Sequence, residues 1–149
     1  MLQGMLKESA GSKWSLIPID HIKDARGSLA VAEFGKHFDF RVERIFYLSN
    51  IGRNEERGDH AHEDLNQFIL CVAGSFDIEL DNGTLKNTYT MSNNGHGLFV
   101  EGLVWRTMTN FTNDAVMAVL CDRVYSDDIV IRDYNIFLAK VKENDHEKT

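Results

Sequence analysis

The sequence predicts an all-β fold, a sandwich or small barrel, closed by one C-terminal helix. Three observations carry this. Short aliphatic and aromatic runs recur along most of the chain, with turn residues between them about every 8–12 residues. In the run Phe76, Asp77, Ile78, Glu79, Leu80 the alternation is strict, so one face is buried and the other is wet. Past Cys121 the apolar period changes: Val130, Tyr134, Phe137, Leu138 and Val141 recur at helical spacing.

The elements follow in order. The strands are expected between about residues 13 and 121, within a single domain spanning 1–149. An N-terminal strand at 13–20 is placed to cross to a neighbouring copy. Strands at 28–34, 45–49, 67–72 and 75–80 are rich in aliphatic and aromatic residues. Asp81-Asn82-Gly83 has the chemistry of a tight hairpin turn, with Gly able to take positive φ. A strand at 84–91 follows, then a second turn at Asn93-Asn94-Gly95, then strands at 97–101, 103–109 and 115–121. The helix is expected at about 127–142, with Asp127 and Asp128 in its first turn, lying against the barrel or a partner subunit. The polar end, 143–149, is expected to fray.

Composition narrows the function. The chain has 149 residues, 43% hydrophobic and 26% charged, the balance of a globular domain. No stretch approaches 18 apolar residues, so no membrane partner is expected. Residues 1–14 lack a basic start and apolar block, so no secretory signal is expected. The net charge of −7 argues against nucleic acid, which is bound by clustered Lys and Arg. Cys71 and Cys121 each sit in an apolar run and read as core packing. Two such cysteines make neither a disulfide framework nor a zinc site, and they fit a reducing cytoplasm.

The chemistry concentrates in Arg57-Gly58-Asp59-His60-Ala61-His62, followed by Gln67 and Gly74. Two His at i and i+2 on a strand point to one side. Inside a barrel they are metal ligands or proton-transfer groups; on a wet edge they are neither. The pattern resembles the cupin superfamily, whose first motif runs His-x-His, three or four residues, Glu, six residues, Gly. Here Gln67 replaces the Glu. The second motif has Gly95 and Asn110 at its ends, with Glu101, Leu103 and Arg106 where Pro, Gly and His are expected. Two of the four metal-ligand positions therefore hold a neutral amide and a guanidinium. Arg has no lone pair to offer and repels a cation, so no metal is expected. A fixed positive charge suits an anionic substrate or a developing oxyanion instead.

A fuller match joins Arg26-Gly27-Ser28-Leu29, the His60 and His62 segment, Gln67 to Gly74, Val104-Trp105, and Tyr125 through Ile131-Arg132-x-Tyr134-x-x-Phe137. In this order and spacing the chain resembles the WxcM-like cupins, nucleotide-sugar 3,4-ketoisomerases of the FdtA and QdtA type. The resemblance implies a jelly-roll-like barrel and dTDP-4-oxo-6-deoxyglucose as substrate. The carbonyl moves from C4 to C3 through an enediol(ate), without metal or organic cofactor. A separate aminotransferase then acts on the product, toward 3-amino-3,6-dideoxyhexoses of bacterial surface glycans. A cytoplasmic homodimer is implied as well. His62 is read as the principal base and His60 as its relay, with the reverse assignment open. Arg106 is read as stabilising the enediolate, Arg57 as gripping the pyrophosphate and Arg26 as lying near the sugar. Gln67 is read as bonding a His or a substrate hydroxyl, and Tyr47 as stacking on thymine or packing in the core. Trp105 is read as core. His21, His37, His96 and His146 are set aside, and Asp122, Asp127 and Asp128 are read as a solvated loop and helix start. The stretch Ile129-Val130-Ile131-Arg132 departs from the expected Asp-Tyr-Ile-Arg and is read as a packing difference. A metal-free epimerase, a non-catalytic sugar-binding cupin and a metal cupin are the rival readings.

Overall fold

The apolar runs pair into two five-stranded sheets in the computed structural model, which describes residues 12–147. The strands are β1 (Trp14–Pro18), β2 (Asp20–Asp24), β3 (Gly27–Val31), β4 (Arg44–Leu48), β5 (Arg57–His62), β6 (Gln67–Ala73) and β7 (Ser75–Asp81). Then come β8 (Lys86–Ser92), β9 (His96–Val100), β10 (Trp105–Thr109), β11 (Val116–Cys121) and β12 (Val130–Ile131), and the helix α1 (Tyr134–Glu147). One sheet has the order β1-β9-β6-β11-β4 and the other β12-β5-β10-β7-β8, while β2 and β3 form a separate hairpin. Such non-sequential antiparallel order is that of a jelly-roll barrel, the fold the cupin resemblance implies.

The inward positions of both sheets fill one core. Ile69, Leu98, Val100 and Val119 come from the first sheet, and Ile78, Leu80, Met91 and Met108 from the second. A second cluster, Ile17, Phe38, Phe40, Phe68 and Phe99, lies apart from that core, with Phe38 and Phe40 coming from the segment between β3 and β4. In a third, Phe137 of α1 packs with Ala61, Leu103, Trp105 and Ile131. Trp105 is thus core, as expected, and its indole N–H donates to Asp59 Oδ1 at 3.3 Å.

Turn chemistry sets several boundaries. Asn82 Oδ1 accepts the N–H groups of Thr84 and Leu85 at 3.0 and 2.8 Å, and Gly83 has φ +99°. The turn therefore uses residues through Leu85, and β8 begins at Lys86 rather than 84. Likewise β10 begins at Trp105, because Leu103 takes a left-handed φ of +57°. The hairpin strand β2 has no counterpart in the sequence reading. Within the one chain described, β1 pairs with β9 from Trp14↔Val100 to Pro18↔His96.

The expected helix start at 127 is not where the helix begins. Tyr125–Asp127 forms a single 3₁₀ turn, and Val130 and Ile131 pair with His62 and Ala61 as β12. α1 starts only at Tyr134. Its cap is Asp133, whose Oδ1 accepts the N–H groups of Asn135 and Ile136 at 2.9 and 3.1 Å. Tyr134, Phe137, Leu138 and Val141 do share the helix, while Val130 belongs to the strand. The expected fraying at 143–149 is likewise not seen through Glu147, since α1 runs to that residue, and 148–149 lie outside the described residues.

Candidate active site

The site lies inside the barrel, where β5 faces β10 across a bulge. Arg106 pairs with His60 and Met108 with Arg57, but Thr107 faces Gly58, leaving Asp59 as the extra residue. Gly58 and Asp59 both take positive φ, +83° and +57°. A Cβ at Gly58 would lie 2.9 Å from the Arg106 carbonyl oxygen, so the close approach needs glycine. In a regular strand, residues 57 and 60 would face opposite ways. The surplus residue restores them to one side, and Arg57, His60 and His62 all line the same cavity.

That cavity is about 90 Å³ and is also walled by Phe46, Leu48, Gln67, Ile69, Arg106 and Met108. It is smaller than the roughly 300–1,000 Å³ of sites that enclose a whole ligand. It therefore suits the reacting end of a larger molecule.

His60 and His62 stand edge to face, with ring planes at 88° and their Nε2 atoms 3.2 Å apart. His62 Nδ1 is 2.8 Å from Asp128 Oδ1, and the other carboxylate oxygen accepts from the Arg44 guanidinium at 3.1 Å. The fourth nitrogen, Nδ1 of His60, is buried and has no partner at hydrogen-bond geometry. Burial first, and the Arg106 charge second, lower the pKa of both rings. His62 falls to about 3, against the pull of Asp128; His60 falls as well, against the pull of the Gly58 backbone. Both rings are neutral at physiological pH. Asp128, helped by His62 and then Arg44, stays below the ordinary carboxylate value despite its burial.

Arg106 is 2% exposed. Its guanidinium donates to Gln67 Oε1 and to the Val104 carbonyl oxygen, at 3.1 Å from one terminal nitrogen. Burial lowers its pKa to about 10, so the cation persists at neutral pH. Gln67 Nε2 in turn donates to Cys121 Sγ at 3.6 Å. Gln67 thus holds Arg106 rather than a His. Among the described residues no group of three or more His, Cys, Asp or Glu converges as a metal-ligand set.

The expected residues sort unevenly. His60, His62, Gln67 and Arg106 converge, and Arg57, exposed, stands at the cavity rim. Tyr47 does not join them: Phe46 and Leu48 take the inward positions of β4, and Tyr47 is 70% exposed on the other face. Arg26 does not either. It sits in the β2–β3 turn, its side chain 90% exposed and ion-paired with Asp24 at 2.7 Å. Asp128, expected to be solvated, has a side chain only 5% exposed and is bonded to His62. The motif reading missed Asp128, because it reaches His62 through the pairing of β12 with β5 and not through a spacing in the sequence.

Known proteins resemble this chain over most of its length. The family model FdtA, described as WxcM-like, C-terminal, matches residues 12–142. A TDP-4-oxo-6-deoxy-α-D-glucose-3,4-oxoisomerase from Aneurinibacillus thermoaerophilus is 35% identical over 133 residues, covering 89% of this chain and 96% of that protein. The crystal structure of QdtA, a sugar 3,4-ketoisomerase from Thermoanaerobacterium thermosaccharolyticum in complex with TDP, superposes with a TM-score of 0.82 at 29% identity. It covers 89% of this chain and 96% of that one. The WlaRB TDP-quinovose 3,4-ketoisomerase from Campylobacter jejuni gives a TM-score of 0.78 at 32% identity, over 85% and 97%.

Proposed function

We propose that this chain, which belongs to the FdtA family of WxcM-like C-terminal domains, is a TDP-4-oxo-6-deoxy-D-glucose 3,4-oxoisomerase. The observation that carries the reading is a neutral imidazole pair set beside a buried guanidinium in a small, largely apolar cavity. The C4 carbonyl acidifies the hydrogen on C3. An imidazole removes it, the C–H electron pair forms a C3–C4 double bond, and charge develops on O4. Arg106, itself buried, offers a permanent cation for that charge. The proton on the C3 hydroxyl moves to O4, a proton returns to C4, and the ketone is left at C3. Positioned acid–base groups contribute on the order of 10²–10⁴ in rate.

His60 is the base in this reading, the reverse of the order first favoured from sequence. Both nitrogens of His62 are engaged, whereas His60 keeps one unpartnered. Arg57 at the rim is placed to meet a pyrophosphate through paired N–H donors. Metal has no part in it: Arg106 has no lone pair and its charge opposes a divalent ion.

The same reading takes the enzyme as a cytoplasmic homodimer that hands its product to an aminotransferase. Cys71 and Cys121 are buried and unpaired, as a reducing compartment allows, and no described helix is long and apolar enough to cross a membrane. Ile45, Tyr47 and Val72 leave apolar surface on the first sheet for a second copy.

The test is incubation with TDP-4-oxo-6-deoxyglucose in D₂O, followed by NMR of the sugar. Carbonyl migration to C3 with deuterium at C4 is the expected result, and His60→Asn should abolish it while leaving the fold intact. Exchange confined to C5 with the 4-ketone retained would mean an epimerase. Binding without turnover would mean a sugar-binding module.

A further inference from the structure

We propose that Asp128, braced by Arg44, is a positioning residue that fixes the proton pattern of the histidine pair and leaves Nδ1 of His60 as its one bare lone pair. An ionised carboxylate only accepts hydrogen bonds, so Asp128 requires the proton of His62 on Nδ1, 2.8 Å away. A neutral ring carries one N–H, so His62 Nε2 is then an acceptor. His60 Nε2, 3.2 Å from it, must be the donor. That leaves His60 Nδ1 without a proton and with no partner at hydrogen-bond geometry, the Gly58 backbone exerting on this ring a pull that burial and Arg106 outweigh. Arg44 holds the second carboxylate oxygen at 3.1 Å and so keeps Asp128 turned toward the ring.

The arrangement also gives the abstracted proton somewhere to go. When His60 Nδ1 takes the C3 proton, its Nε2 proton can pass to His62 Nε2. The charge is then shared with the ring that faces the Asp128 carboxylate, and burial and the Arg106 cation, which disfavour a proton on either ring, favour its return. The reverse transfer returns a proton through His60 to C4, so no proton is gained or lost. None of this was visible as a motif: Asp128 lies 66 positions from His62 and arrives through the pairing of Val130 with it.

The inference rests on the isomerase reading for its catalytic part, but the proton pattern is testable without substrate. Protein labelled with ¹⁵N-histidine is examined at neutral pH by long-range ¹H–¹⁵N NMR. The expected result is His62 protonated on Nδ1 and His60 on Nε2. His62 protonated on Nε2 would overturn the proposal. In Asp128→Asn, the amide can donate as well as accept, so His62 should lose its single tautomer. With the sugar substrate, kcat of that variant should fall on the order of 10²–10⁴-fold, with KM within about threefold and partial rescue in Asp128→Glu. Unchanged tautomers together with kcat within about threefold of wild type would overturn it. Should Asp128→Asn fail to fold, the wild-type spectrum alone decides. Should the wild type fail to isomerise the sugar, the functional reading falls while the spectrum still decides the proton pattern.

Discussion

Acid should unfold this protein through His62. The side chain is 7% exposed, and burial together with Arg106 holds its pKa at about 3. In the unfolded chain the same ring titrates near 6.5. The folded value is depressed, so the fold refuses a proton that the unfolded chain accepts. Above pH 6.5 both states are neutral and the ring contributes no pH dependence. Below it, stability falls by about 1.4 kcal/mol per pH unit until the folded value is reached. At pH 5 the accumulated loss is about 2 kcal/mol. That figure hardly changes for any folded pKa below about 4, because the folded ring is then still neutral at pH 5. Asp128 does not interfere in this window: its folded pKa is lowered, so its contribution is lost only as pH falls below the ordinary carboxylate range. His60, also depressed, adds to the loss in the same direction. The assay is urea unfolding of wild type and His62→Gln at pH 8 and pH 5. Wild type should lose about 2 kcal/mol more than the variant between the two conditions. Equal losses in both proteins would refute the reasoning, since the titrating ring would then not be the one the fold excludes from charge.

Three further outcomes are expected. Gly74→Ala should cost about 2–4 kcal/mol in urea unfolding, because φ is +64° and a Cβ would lie 2.8 Å from Ala115 Cα; a loss under 1 kcal/mol would show that the turn can shift. Phe137→Ala should cost about 3–5 kcal/mol, since this fully buried ring packs among Ala61, Leu103, Trp105 and Ile131 at the root of α1; a near-neutral result would show that the helix is not held there. Arg26→Ala should leave the unfolding midpoint where it is, as the Asp24 pair is solvent-exposed. A fall in kcat/KM for that variant, with the midpoint unmoved, would show that the hairpin tip reaches a site in a neighbouring copy.

Period-two alternation made the sheets legible, because a strand with one wet face writes its pairing into every second residue; Phe76, Ile78 and Leu80 are all buried as that pattern requires. The histidines and Arg106 were legible too, since their spacing belongs to a motif. Asp128 was not. A two-residue strand has no periodicity, and β12 is what carries that carboxylate to His62. Asp127 and Asp128 also imitate an acidic first turn, while the working cap, Asp133, lies five residues beyond Asp128. Tyr47 shows another limit: its neighbours Phe46 and Leu48 are equally apolar, so composition alone does not say which of the three looks inward.

The surplus residue in β5 has a consequence for how this site tolerates change. It works as a phase shifter. Forced into a regular ladder at its present length, the strand would have two ends that look opposite ways, and either the rings or the rim arginine would turn out of the chamber. The anion capture and hydrogen transfer proposed for this site are thus yoked by a single looped-out residue. A change that flattened the bulge without removing that residue would be expected to separate them even where every side chain named in the chemistry survives.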